Sequence, residues 1–110
     1  MVAKATSRLQ EADGAACRAI VGQGGLVLVD FWSEHCGPCR SLVPVLEDLA
    51  GKHPDLTVVK VEVESNDDLA EELNVQSVPS LILFKQGAQV DRLVGKTPYV
   101  VLERMVRKHA

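Results

Sequence analysis

The stretch LVLVDFW, Leu26–Trp32, is apolar at every position except Asp30. Side chains of a strand alternate between the two faces of its sheet. A run that is apolar at both odd and even positions therefore belongs to a strand covered on both faces. A second such run, LTVVKVEVE at 56–64, follows a segment with helical spacing. Buried strands of this kind are typically parallel, and a parallel connection needs a crossover long enough to hold a helix. The two runs restrict the chain to an α/β arrangement, a sheet with helices on both faces. With 110 residues, 46% of them hydrophobic, one such core can form without disulfides or metal. A single domain over 1–110 is expected.

The remaining elements fall around these strands. Residues 5–11, ATSRLQE, offer at most a short edge strand. Asp13 is placed to cap a helix reaching Val21, with Ala16, Cys17, Ile20 and Val21 on its apolar stripe; GQGG at 22–25 ends it. Residues 36–50 read as a helix with Leu42, Val45, Leu46 and Leu49 on one side. Gly51 closes it, and Pro44 inside it predicts a kink. Asn66 or Asp67 starts a short helix through Leu73. SLILFKQGAQVDRLVG at 80–95 reads as a hairpin turned near Gln86 and Gly87. Thr97 is placed to cap a last helix, with Pro98 in its first turn and Tyr99, Leu102, Met105 and Val106 on its stripe. The order β-α-β-α-β-α-β-β-α implies a central mixed sheet of about five strands covered by about four helices. Its core is parallel, and its C-terminal hairpin is antiparallel.

Charge and hydropathy narrow the function classes. A net charge of −3 gives no basic field for nucleic acid or an anionic membrane. No apolar run approaches the roughly 20 residues that cross a bilayer. The opening MVAKATSRLQ has no apolar segment of a secretory signal, so a cytoplasmic location is expected. Three cysteines are too few for a disulfide scaffold. In a reducing compartment a close pair is redox-active or metal-binding before it is structural.

That pair is Cys36 and Cys39, in VDFWSEHCGPCR at 29–40. It lies just beyond the carboxyl end of the first buried strand, where ligands of such sheets bind. Two intervening residues at a helix start put both sulfurs on one turn. Gly37 lets another chain approach, and Pro38 suits the first helical turn. The free N–H groups and partial positive charge of a helix N-terminus favour thiolate over thiol, most at its open end. Cys36 is thus the candidate nucleophile, attacking a partner disulfide, and Cys39 the thiol that resolves the mixed disulfide. Half of a zinc site, a cluster shared between two chains and an inert buried pair are the alternatives. Zinc would need about four ligands, and only Cys17, His35, His53 and His109 remain, with no second CxxC and no HxxxH.

The motif VDFW, one glutamate and CGPCR, a proline five residues after the second cysteine, VPSLILFKQG at 78–87 and LVG at 93–95 resemble thioredoxins along nearly the whole chain. The resemblance implies the thioredoxin fold and a dithiol–disulfide oxidoreductase that reduces client proteins without a cofactor beyond its own cysteine pair. Oxidase or isomerase duty uses the same chemistry at another redox poise. A binding module with incidental thiols is the competing class. The resemblance implies a thioredoxin reductase as electron source; the protein is expected to act as a monomer.

The family pattern also assigns residues. It implies a cis bond at Val78–Pro79, facing the cysteines, and a substrate chain lying along Val78 and the Gly95 loop. It makes Asp30 a buried base that exchanges a proton with Cys39, with Lys60 near it. An unpaired buried carboxylate is costly, so the Asp30 pKa is expected to be raised. Trp32 matches the tryptophan beneath the active site. Glu64 stands where the family usually has aspartate, which leaves a contact to the Trp32 indole open. His35 replaces an exposed tryptophan, and Arg40 replaces lysine with its charge kept. Cys17 is additional, and on an apolar stripe it reads as a small buried hydrophobe.

Overall fold

The structure, a computed structural model, describes residues 8–110. Its elements are β1 (Leu9–Glu11), α1 (Gly14–Gly22), β2 (Leu26–Trp32), α2 (Gly37–Lys52), β3 (Leu56–Glu62), α3 (Asp67–Glu72), β4 (Ser80–Lys85), β5 (Ala88–Val94) and α4 (Tyr99–His109). The five-stranded sheet has the order β1-β3-β2-β4-β5. β1, β3 and β2 run parallel, and β4 and β5 are antiparallel to their neighbours.

β2 is the central strand, which explains why both of its parities are apolar. Val27, Val29 and Phe31 pack with Cys17 of α1 and Leu69 of α3. Leu28 packs on the other face with Leu42, Leu46 and Leu49 of α2 and with Leu102, Met105 and Val106 of α4. The hairpin turns at Gln86 and Gly87, with φ of 53° and 83°. Two consecutive positive φ values make the primed two-residue turn that matches the twist of the flanking strands.

Several boundaries differ from the sequence reading. The edge strand begins at Leu9; Ala5, Thr6 and Ser7 lie outside the described residues. Ala16 is exposed, because Gly14 and Cys17 take the inward face of α1. β3 stops at Glu62 rather than Glu64, since a turn closed by Asn66 N–H to the Val63 carbonyl leads the chain out of the ladder. α2 passes through Gly51 to Lys52, where His53 caps it with an N–H bond to the Leu49 carbonyl. The His53 ring also meets Glu103 of α4 at 2.5 Å, so a tertiary contact backs the two added residues. Pro44 lies on the exposed side of α2, where the carbonyl it leaves unbonded can be hydrated. Thr97 does not cap α4. Pro98 occupies the N-cap in an extended conformation, and the Thr97 hydroxyl donates instead to the Gly95 carbonyl at 3.0 Å.

Candidate active site

The loop from β2 into α2 is built on Ser33. Its carbonyl accepts the Cys36 N–H at 3.2 Å, and its hydroxyl donates to Glu64 at 2.7 Å. Cys36 is then the N-cap of α2, and its Sγ accepts the Cys39 N–H at 3.1 Å. A sulfur therefore occupies the place where a serine or aspartate oxygen usually caps a helix. Cys36 and Cys39 are joined in a disulfide, with Cα atoms 5.3 Å apart. Cys36 keeps 9% of its surface exposed and Cys39 2%, so an incoming group meets Cys36 first. His35, Gly37 and Pro38 are exposed around it, and the space beside Gly37 is open. The Arg40 guanidinium folds back to the Glu34 carbonyl at 3.1 Å.

Val78, Pro79 and Gly95 lie at the same end of the sheet. β2 and β4 are antiparallel with Phe31 opposite Ser80, so the start of β4 adjoins the end of β2. The Val78–Pro79 bond is cis. The Gly95 N–H donates to the Pro79 carbonyl at 2.8 Å, joining the two loops. Gly95 has φ of 90°, a conformation that favours glycine, and no atom crowds it.

Beneath α2, one row of side chains crosses the sheet. In the order β4, β2, β3, β1 it reads Leu81, Asp30, Lys60, Glu11. Asp30 is fully buried, and neither carboxylate oxygen has a hydrogen-bond partner among the described residues. Burial pushes its pKa up to about 7; Lys60 opposes the shift and Glu11 adds to it. The Lys60 ammonium sits 4.7 Å from the centroid of the Trp32 ring and 3.8 Å from Glu11 Oε1. The Trp32 indole N–H donates to Glu11 Oε2 at 3.0 Å.

Two of these contacts escaped the sequence reading. The partner of the Trp32 indole is Glu11, while Glu64 accepts from Ser33. Glu11 lies on a three-residue strand whose pairing with β3 spans 49 positions, and no local pattern announces such a partner. Ser33 carried no signal beyond standing between the strand and the cysteines. Cys17 is buried at 2% exposure on the opposite face of the sheet, and burial raises its thiol pKa against the opposing pull of Arg18. Among the described residues, no group of three or more histidine, cysteine, aspartate or glutamate side chains could hold a metal ion. No helix among them is long and apolar enough to cross a membrane.

Comparison with known proteins gives a consistent result. Residues 9–108 match the family model described as Thioredoxin. A thioredoxin of Chlamydia pneumoniae is 49% identical over 86 residues, covering 78% of this chain and 84% of that one. A thioredoxin of Staphylococcus saprophyticus is 43% identical over 88 residues, covering 79% and 85%. Among solved structures, a mutant thioredoxin from Halobacterium salinarum superposes with a TM-score of 0.86 at 32% identity, covering 96% of this chain and 95% of that one. Plasmodium falciparum thioredoxin superposes at 0.85 with 30% identity, covering 92% and 99%.

Proposed function

Because the chain belongs to the thioredoxin family and is a dithiol–disulfide oxidoreductase, we propose that Cys36 is its attacking thiol, Cys39 its resolving thiol and Asp30 its proton acceptor. The observation that carries the reading is the cap itself: the sulfur of Cys36, the more exposed of the two cysteines, accepts the Cys39 N–H in the first turn of α2. In the reduced state that environment stabilises a Cys36 thiolate.

The reaction follows with electrons and protons balanced. The Cys36 thiolate attacks one sulfur of a client disulfide; a mixed disulfide forms, and the first client thiolate leaves and takes a proton from solvent. Asp30 then accepts the Cys39 proton. The Cys39 thiolate attacks Cys36 Sγ, the Cys36–client bond breaks, and the second client thiolate departs. Two electrons have passed to the client, and the Cys36–Cys39 disulfide seen here is the product. Asp30 suits its task because its pKa of about 7 lets it exchange a proton near neutrality.

Val78, Pro79, Gly95, Gly37, Pro38, His35 and Trp32 form the proposed docking face for an extended client segment, with Lys60 in support. No other cofactor enters the scheme. A flavoprotein reductase of the thioredoxin reductase class regenerates the dithiol, and the protein acts as a cytoplasmic monomer. One solved structural relative, superposing at 0.85 with 25% identity, is described as the structural basis of thiol resolution in yeast mitochondrial 1-Cys peroxiredoxin via the glutathione/thioredoxin systems. It supports disulfide-bearing proteins as clients here. The test is reduction of insulin disulfides with a small dithiol as electron source, alongside the metal content of the purified protein. Turnover that survives Cys36→Ser would overturn the reading.

A further inference from the structure

The geometry points to Glu11 as a positioning residue of the exchange reaction: its carboxylate holds the Lys60 ammonium against Trp32, leaving Asp30 without a direct partner. The inference rests on the proposed role of Asp30 and deepens it.

Asp30 and Lys60 are opposite each other on adjacent parallel strands, and Glu11 is opposite Lys60 on the next. All three project from the α2 face, as their neighbours Leu28, Val58 and Leu9 do. A lysine between two carboxylates can pair with either. Here its ammonium lies 3.8 Å from Glu11 and over the Trp32 ring, while both Asp30 oxygens stay unbonded. Glu11 secures that arrangement twice, since its second oxygen takes the indole N–H and fixes the ring on which Lys60 rests. One exposed carboxylate thus sets both the cation and the aromatic platform beside the buried acid. The charged groups acting on Asp30 are Lys60 from β3 and Glu11 from β1. β4 opposes it with Leu81, and α2 brings the cysteine pair.

Glu11→Gln tests this. The amide oxygen can still accept the indole N–H, but the anion is gone, so Lys60 is free to turn toward Asp30. Two unit charges two strand spacings (~10 Å) apart set the scale of the direct field alone. That field alone would lower the Asp30 titration midpoint, followed by carboxyl carbon NMR, by roughly 0.3 to 1.2 pH units, the limits for water and for an effective dielectric of 20, and the released Lys60 should carry the fall beyond it. The exposure of Glu11 favours the lower figure. In a Lys60→Gln background the same change should move the midpoint less, because no cation remains to be released. An unmoved midpoint in Glu11→Gln overturns the inference. Equal shifts in both backgrounds overturn it too, because Glu11 would then act by its own field. Turnover measured across the same pH range separates the underlying reading: a midpoint that moves while the rate profile stays still removes Asp30 as the proton acceptor, and with it the part of Glu11 in the exchange, while the hold of Glu11 on Lys60 stands.

Discussion

Asp30 and Lys60 lie in register on adjacent parallel strands, yet neither Asp30 oxygen is hydrogen-bonded among the described residues. This buried carboxyl costs stability in a defined pH window. Its pKa is about 7 in the fold, against an ordinary value of 3.8. Between those values the folded protein holds a proton that the unfolded chain has released, so stability falls as pH rises. Above the upper value the full cost, of order 4 kcal/mol, is present. Asp30→Asn is expected to be more stable than the parent by roughly 1–4 kcal/mol at about pH 8, and close to it near pH 4, while turning over more slowly. Urea denaturation at the two pH values checks this. An equal difference at both would contradict the burial argument.

The assigned order of attack predicts an asymmetric trap. Cys39→Ser should accumulate mixed disulfides with client proteins, because nothing resolves them, and Cys36→Ser should accumulate few. Non-reducing electrophoresis of the two variants with a disulfide-bearing client reads this directly. Equal trapping would reverse or abolish the roles.

Cys17 lies on the α1 face of the sheet, across from the Cys36–Cys39 layer, and burial holds its thiol protonated. Cys17→Ala should therefore keep full insulin-reducing activity while losing about 1 kcal/mol of stability from a less filled core. Loss of activity in a variant that still folds would bring this thiol into the chemistry.

His35 is exposed beside Cys36. His35→Trp enlarges the apolar area next to the sulfurs, so client KM values should fall severalfold with kcat little changed. Unaltered KM values across several clients would mean that this side chain takes no part in docking.

Glu103 joins α4 to the end of α2 through His53 at 2.5 Å and accepts the Tyr99 hydroxyl at 3.0 Å. The His53 hydrogen bond is the leading cause that holds its carboxyl below the ordinary value. Such a group stabilises the fold above the ordinary carboxylate range and loses that contribution as pH falls through its depressed pKa. Glu103→Gln should lower the melting temperature at neutral pH, and the gap to the parent should close in acid. A gap independent of pH would mean that the loss is one of packing alone.

The fold was legible wherever burial wrote its pattern into consecutive residues. β2 was read with its observed bounds, and the hairpin turn at Gln86 and Gly87 followed from its residues. Legibility failed where a partner far along the chain decides the outcome. The last turn of α2 is held by Glu103, fifty positions away from His53. Thr97 looked like a cap because its residue type suits that role, but Pro98 took the position. In the site, the cysteine pair and its helix start could be read from spacing and residue chemistry. The Asp30, Lys60 and Trp32 assignments came from family resemblance. Glu11 and Ser33 could not be found, since their importance lies in cross-strand and loop hydrogen bonds without local periodicity.

The two margins of the sheet have a further consequence. Among the described residues β1 offers three ladder positions, and β5 carries Asp91 and Arg92 along a strand whose pairing shifts register at Leu83 and Phe84. Short, charged or irregular margins resist the addition of a foreign strand. A protein that acts on disulfide-containing partners is thereby guarded against taking up a partner's strand into its own sheet.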